Sequence, residues 1–135
     1  MRAAVWSVLL AIVLVISFYL VVIIASESGE VVILATGDGG EATATRLWIV
    51  DYNGAEWVRT GHSNKGWYRR ITSDPKVSLE RNGLKSRRLA TVVMDTNVAA
   101  GVNAAFSDKY GIADKIVALS GDARKRIPVR LDQDK

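Results

Sequence analysis

The chain has no cysteine, a single histidine, two prolines and, from Ala3 to Ala25, no charged residue at all. Each shortage removes a class of chemistry. Without cysteine there are no disulfides and no lipid attached through a thiol, although this alone chooses no compartment. An ordinary zinc site needs several Cys or His ligands, and His62 is the sole candidate. The same shortage excludes a Cys-His nucleophile, and Ser63 beside His62 is no triad, because chain neighbours rarely point at one another. His62 therefore reads as a loop residue next to Gly61. A clustered basic stripe is also missing. The net charge is +4, and Lys and Arg alternate with acids, which argues against a nucleic-acid partner.

The uncharged run carries only Trp6, Ser7, Ser17 and Tyr19 as polar side chains. About 20 apolar residues cross a hydrocarbon core of roughly 30 Å, whereas a cleavable signal peptide has an apolar stretch of about 7–15 residues. The only passable cleavage site, Ser26-Glu27-Ser28, places an acid at its middle position. An uncleaved single-pass anchor is the expectation. Arg2 precedes the span, and Ser26 to Thr45 has no Lys or Arg but contains Glu27, Glu30, Asp38 and Glu41. By the positive-inside rule the N-terminus is expected in the cytoplasm and the rest on the extracytoplasmic, periplasmic side. Residues 1–29 are then anchor and short linker, and 30–135 one domain of ordinary size. With Arg2 set aside the domain carries +3, a mild charge compatible with anionic headgroups nearby.

Within the domain, Glu30–Thr36 reads as a buried β-branched strand and Thr43–Asp51 as a second. Asn53-Gly54 signals a tight hairpin into a third strand, Ala55–Thr60, with Trp57 and Arg59 on one side and Val58 on the other. Lys76–Arg81, the turn Asn82-Gly83 and Arg87–Met94 form another hairpin. A final strand, Lys125–Leu131, turns Ile127, Val129 and Leu131 inward, and Pro128 marks it as an edge or a bulge. Between these lie three helical patterns. Ser63–Ser73 shows Trp67, Tyr68 and Ile71 on one face and ends at Asp74-Pro75. A longer helix capped by Asp95 or Thr96 repeats Val98, Val102, Phe106 and Tyr110 and stops at Gly111. Ile112–Ser120 is expected to bury Ile116 and Leu119 and to stop at Gly121. The fold class is mainly β with α: an N-terminal transmembrane helix, then a small six-stranded antiparallel barrel with covering helices.

Two segments could bind an anion. Thr36-Gly37-Asp38-Gly39-Gly40-Glu41 lacks the Gly-Lys-Ser/Thr ending of a P-loop and carries two acids, so a turn is the better reading. The loop from Thr60 to Gly66 offers backbone N–H groups, the Ser63 hydroxyl and the Lys65 ammonium near a helix N-terminus, with Trp67 and Tyr68 as flat faces. Against this stands the plainer reading of Trp67 as core and of Lys65, Arg69 and Arg70 as a solvated face.

The segments VVILATGDGGEATATRLWIV, DYNGAEWVRTG, GWYRRITSDPKVSLERNG and FSDKYGIADKIV…IPVRL together resemble the split β-barrel flavin-binding proteins, most closely the deazaflavin-dependent nitroreductase family. The resemblance covers residues 30–131. It implies a redox domain in which FMN or a deazaflavin is held near the end of the third strand, often between two copies of the chain in a homodimer. The matching positions are Thr60, Gly61, Ser63, Lys65, Trp67 and Tyr68, with Arg46 and Arg59 as further anion partners. The family's first hairpin loop is usually basic, whereas this chain has Asp38, Gly39 and Glu41. That keeps a second function open, a non-enzymatic membrane-surface module binding a partner protein, a lipid headgroup or a small ligand without cofactor.

Overall fold

The computed structural model describes residues 1–26, 29–37, 42–61, 63, 65–119 and 126–135. The glycine-rich turn at 38–41, His62, Asn64 and the expected stop at Gly121 lie outside them. The described chain begins with α1 (Arg2–Ser26), long and apolar enough to cross a membrane, whose apolar side chains are exposed almost throughout. Then come β1 (Val31–Thr36), β2 (Thr43–Trp48), β3 (Val50–Tyr52), β4 (Ala55–Thr60), α2 (Gly66–Ser73), β5 (Lys76–Arg81), β6 (Leu84–Val92), α3 (Thr96–Tyr110), α4 (Ile112–Ala118) and β7 (Ile127–Gln133).

The seven strands form one antiparallel sheet in the order β2-β1-β5-β6-β7-β4-β3. Its two edges, β2 and β3, are separated in the chain by Ile49 alone, so the sheet has to curl until they meet. That closure makes the half-barrel. It also explains why seven strands appear where six were expected: the segment Thr43–Asp51 is broken at Ile49. The Ile49 N–H is taken by the Tyr110 hydroxyl at 3.0 Å, and its carbonyl accepts from Lys109 Nζ at 2.8 Å. Side chains of α3 satisfy this peptide in place of a strand, which frees the chain to leave β1 and join β4.

Local signals behave as their chemistry dictates. Both Asn-Gly turns have positive φ at both residues, Asn53 and Gly54 in one, Asn82 and Gly83 in the other, as a type I′ hairpin requires. Asp95 caps α3, its carboxylate accepting from the Asn97 and Val98 N–H groups. The sheet buries its inner face, and α3 covers part of its outer face. Inside the barrel Val32, Leu34, Val58, Leu79, Val129 and Leu131 pack with Trp67 and Ile71 of α2. On the outer face Val50 and Trp57 pack with Val102, Phe106 and Tyr110 of α3. Gly101 is required on α3 because the Tyr52 ring occupies the place of its Cβ.

Two expectations need correction. Pro128 does not mark an edge: β7 lies between β6 and β4, and Pro128 is buried opposite Arg59. Its carbonyl accepts from the Val93 N–H at 3.1 Å, so its nitrogen faces β6 just where the paired register with that strand ends at Val92 and Val129. Leu119 is not buried but exposed, and the buried residue of α4 is Asp114. A pattern of apolar residues gives the period of a helix but not which side meets the protein.

Candidate arginine cleft at the barrel edge

A cleft of about 210 Å³ is lined by Val31, Arg46, Leu47, Trp48, Arg59, Gly61, Val117 and Arg126. Strand β1 supplies Val31 to its wall. Strand β2 presents Arg46 and Trp48, β4 brings Arg59 and leads into Gly61, α4 contributes Val117, and Arg126 precedes β7. Trp48 is fixed by stacking on Tyr110, ring centroids 4.3 Å apart and planes 6° from parallel. One face of its indole is thereby occupied by the fold.

Arg59 is the most constrained of the three cations. Its guanidinium is ion-paired with Asp114, donates to Asn103 Oδ1 at 3.0 Å and lies over the Phe106 ring at 4.1 Å. The Arg59 and Asp114 side chains are only 9 % and 8 % exposed. Burial pulls the Arg59 guanidinium below its ordinary pKa; Asp114 opposes that, and nearby Arg126 adds to it. Arg126 itself stands 3.6 Å from the same Asp114 oxygen. Asp114 thus serves two arginines, and Arg46 stands exposed at the rim. Guanidinium groups present paired donors matched to phosphate or carboxylate oxygens.

The residues expected from the sequence to form one site are divided. Arg46, Arg59 and Gly61 line this cleft. Thr60 is buried at the end of β4, and Ser63 and Lys65 are exposed in the connection to α2. Trp67 is 4 % exposed within the barrel core, with Tyr68 packed against that core. Helix α2 instead borders a larger groove of about 730 Å³, lined by Gly37, Gly66, Arg69, Arg70, Thr72, Ser73 and Asp74. Arg70 is engaged there, its Nε donating to Thr36 Oγ1 at 2.7 Å. Nothing in the sequence marks Trp48, Asp114, Val117 or Arg126 as site residues. Asp114 is an acid in the first turn of α4, a position the helix dipole alone would account for, and only its burial exposes its role.

No family model matches the chain, and no curated protein matches it in sequence. Solved structures do. A conserved hypothetical protein from Mycobacterium tuberculosis superposes with a TM-score of 0.61 at 20 % identity, covering 80 % of this chain and 75 % of its own. HutZ, the heme storage protein of Vibrio cholerae, gives 0.60 at 19 % identity over 82 % and 86 %. A pyridoxamine 5′-phosphate oxidase candidate from Listeria innocua gives 0.61 at 11 % identity over 84 % and 91 %. At these identities the likeness is one of fold: the chain shares the split-barrel fold of these structures.

Proposed function

We propose that the domain binds an anionic, ring-bearing redox cofactor of the flavin type, FMN or a deazaflavin, with its anionic end in the arginine cleft, and that α1 anchors it in a membrane. The observation that carries this reading is the gathering of Arg46, Arg59 and Arg126 around one cleft, with Arg59 and Arg126 sharing Asp114. Pyridoxamine 5′-phosphate and heme, the groups for which two of the structural neighbours are named, also combine a flat ring with anionic substituents.

The cleft suits part of such a molecule. At about 210 Å³ it is smaller than the roughly 300–1,000 Å³ typical of complete small-molecule sites, so it would hold a phosphate while the ring extends past the exposed rim at Arg46. A bound flavin would supply the electron or hydride transfer; the protein would supply position and charge. The membrane part of the reading rests on the length and apolarity of α1, and the outward orientation on Arg2 and the acidic segment after the span. A second reading, a cofactor-free module gripping a lipid phosphate, draws on Val31 and Val117, which put the cleft wall just beyond the end of α1.

The test is visible absorbance of the full chain purified in detergent, then titration with FMN, the deazaflavin cofactor and heme. Micromolar binding of one cofactor, weakened in Arg46→Ala, is the expected result. A colourless protein that binds none of them would overturn the cofactor reading.

A further inference from the structure

Helix α4 and its C-cap turn Ile112 and Leu119 away from the domain. Ile112 and Leu119 are 74 % and 75 % exposed and Ile116 is half-buried, while Asp114 points inward to Arg59. At 3.6 residues per turn, Ile112, Ile116 and Leu119 share a sector of about 60°, with exposed Lys115 at its margin and Asp114 opposite. An isolated exposed Leu needs no explanation, but a short helix with a consistently apolar outer face does.

The neighbour of α4 indicates what covers that face. Helix α4 packs against α1, and among the described side chains of α1 only Val22 is less than exposed. The contact therefore lies at the C-terminal end of α1. About 20 residues cross the hydrocarbon core, and counted from Ala3 they bring Val22 to its far boundary. An element packed there sits at the level of the headgroups. Beyond it, Gly29 lies against the Tyr110 ring, where a Cβ would come within 3.0 Å, and the Tyr110 hydroxyl donates to the Glu30 carbonyl at 2.6 Å. The domain is thus tied to the chain on both sides of residues 27–28.

We propose that the outer face of α4 is a membrane-contact surface. Ile112, Ile116 and Leu119 enter the interfacial layer, and Lys115 extends its stem along it to set its ammonium among anionic headgroups. The inference rests on α1 being a membrane span and goes further: the barrel is held against the bilayer, not tethered above it. Because Val117 of the same helix lines the arginine cleft, that contact also fixes the cleft beside the headgroup layer.

The absence of cysteine makes the test direct. Single substitutions Ile112→Cys, Leu119→Cys, Val13→Cys and Ser73→Cys in the full chain, each labelled with an environment-sensitive fluorophore, are reconstituted in phosphatidylcholine–phosphatidylglycerol vesicles. Ser73 is exposed near Gly37, past the opposite end of β1 from the linker, and Val13 is at the middle of α1. The expected result is blue-shifted emission at 112 and 119 that is quenched by lipids with a shallow nitroxide, quenching at 13 by a deep nitroxide, and a water-like signal at 73. Water-like signals at 112 and 119 with a quenched probe at 13 would overturn the α4 contact and leave the anchor standing. A water-like probe at 13 would overturn both. Blue-shifted probes at 112 and 119 that no lipid nitroxide quenches would mean that protein, such as a second copy, covers the face, and would also overturn the proposal.

Discussion

Two arginine-rich regions of this domain handle charge in opposite ways. Near the entry to the barrel, Arg81 donates to Glu30, Asp51 and Glu56 at 2.8–3.0 Å, Arg88 shares Glu56, and Lys109 shares Glu30. Three cations meet three carboxylates, and each charge finds its partner within the chain. In the cleft, Arg59 and Arg126 divide Asp114, and Arg46 stands at the rim. A balanced network ties strands together and has no use for a ligand. A cluster in which two guanidinium groups share one carboxylate is a place where an outside anion completes the arrangement. The contrast assigns stability to the first region and binding to the second, and each experiment below strains that division.

The largest effect is expected where the cleft itself depends on a buried pair. In Asp114→Ala the Arg59 guanidinium would remain nine-tenths buried without its carboxylate, and breaking a buried pair this way costs about 3–5 kcal/mol. Urea denaturation of detergent-solubilised protein measures it. A loss below about 1 kcal/mol would mean that Asn103 and the Phe106 face already satisfy Arg59, and Asp114 would then be a ligand-tuning residue. Next in size is Tyr110→Phe. It keeps the stack on Trp48 but leaves the Ile49 N–H buried without its acceptor, at a cost of about 1–3 kcal/mol. A variant as stable as the parent would show that Ile49 finds another partner and that Tyr110 does not hold the β2–β3 break open.

Why the break at Ile49 was missed shows how far a sequence can be read. Leu47, Trp48, Ile49 and Val50 form an unbroken apolar run, which is what a strand buried on both faces looks like. Nothing local indicates that a tyrosine 61 positions later will take the Ile49 amide. The hairpins were legible because Asn-Gly encodes its own φ angles, and α3 because Asp95, the four-residue repeat and Gly111 all agree. Strand Lys76–Arg81 was found to the residue, since alternation and the flanking turn gave the same bounds. The cleft divides similarly. Arg46, Arg59 and Gly61 were reached through a family resemblance that points to one region of the barrel. Asp114 and Arg126 were not, because their meeting depends on α4 folding back over β4. Trp67 reads as a cofactor face or, more plainly, as core, and the position of α2 over the barrel decides for the core.

The balanced network makes a prediction in pH. Hydrogen bonds from Arg81 hold Glu30 below its ordinary 4.5 and Asp51 below its ordinary 3.8, against a smaller opposing effect of burial. Both carboxylates are more acidic folded than unfolded. Their stabilisation is therefore complete above the unfolded values and is lost as pH falls through the folded ones. Thermal melts should decline below about pH 4.5, and Arg81→Met should flatten the decline as well as lower the melting temperature at neutral pH. An unchanged slope in that variant would remove Arg81 as the cause.

The smallest effect on folding, and the most informative about function, is expected from Arg46→Ala. Arg46 is exposed on the edge strand β2, so its loss should change stability by no more than about 0.5 kcal/mol. An anion at the cleft would lose one of three guanidinium groups. A weakening of about tenfold, equivalent to roughly 1.4 kcal/mol, is the expected cost in titrations with the bound cofactor or with inorganic phosphate. Removing a surface arginine from the balanced network, as in Arg81→Met, should do the reverse, lowering stability and sparing affinity. If Arg46→Ala unfolds the domain while Arg81→Met weakens the anion, the two regions have been assigned the wrong way round. If neither changes affinity, the arginines of the cleft are not what attracts a ligand, and the groove beside Arg69 and Arg70 becomes the next place to look.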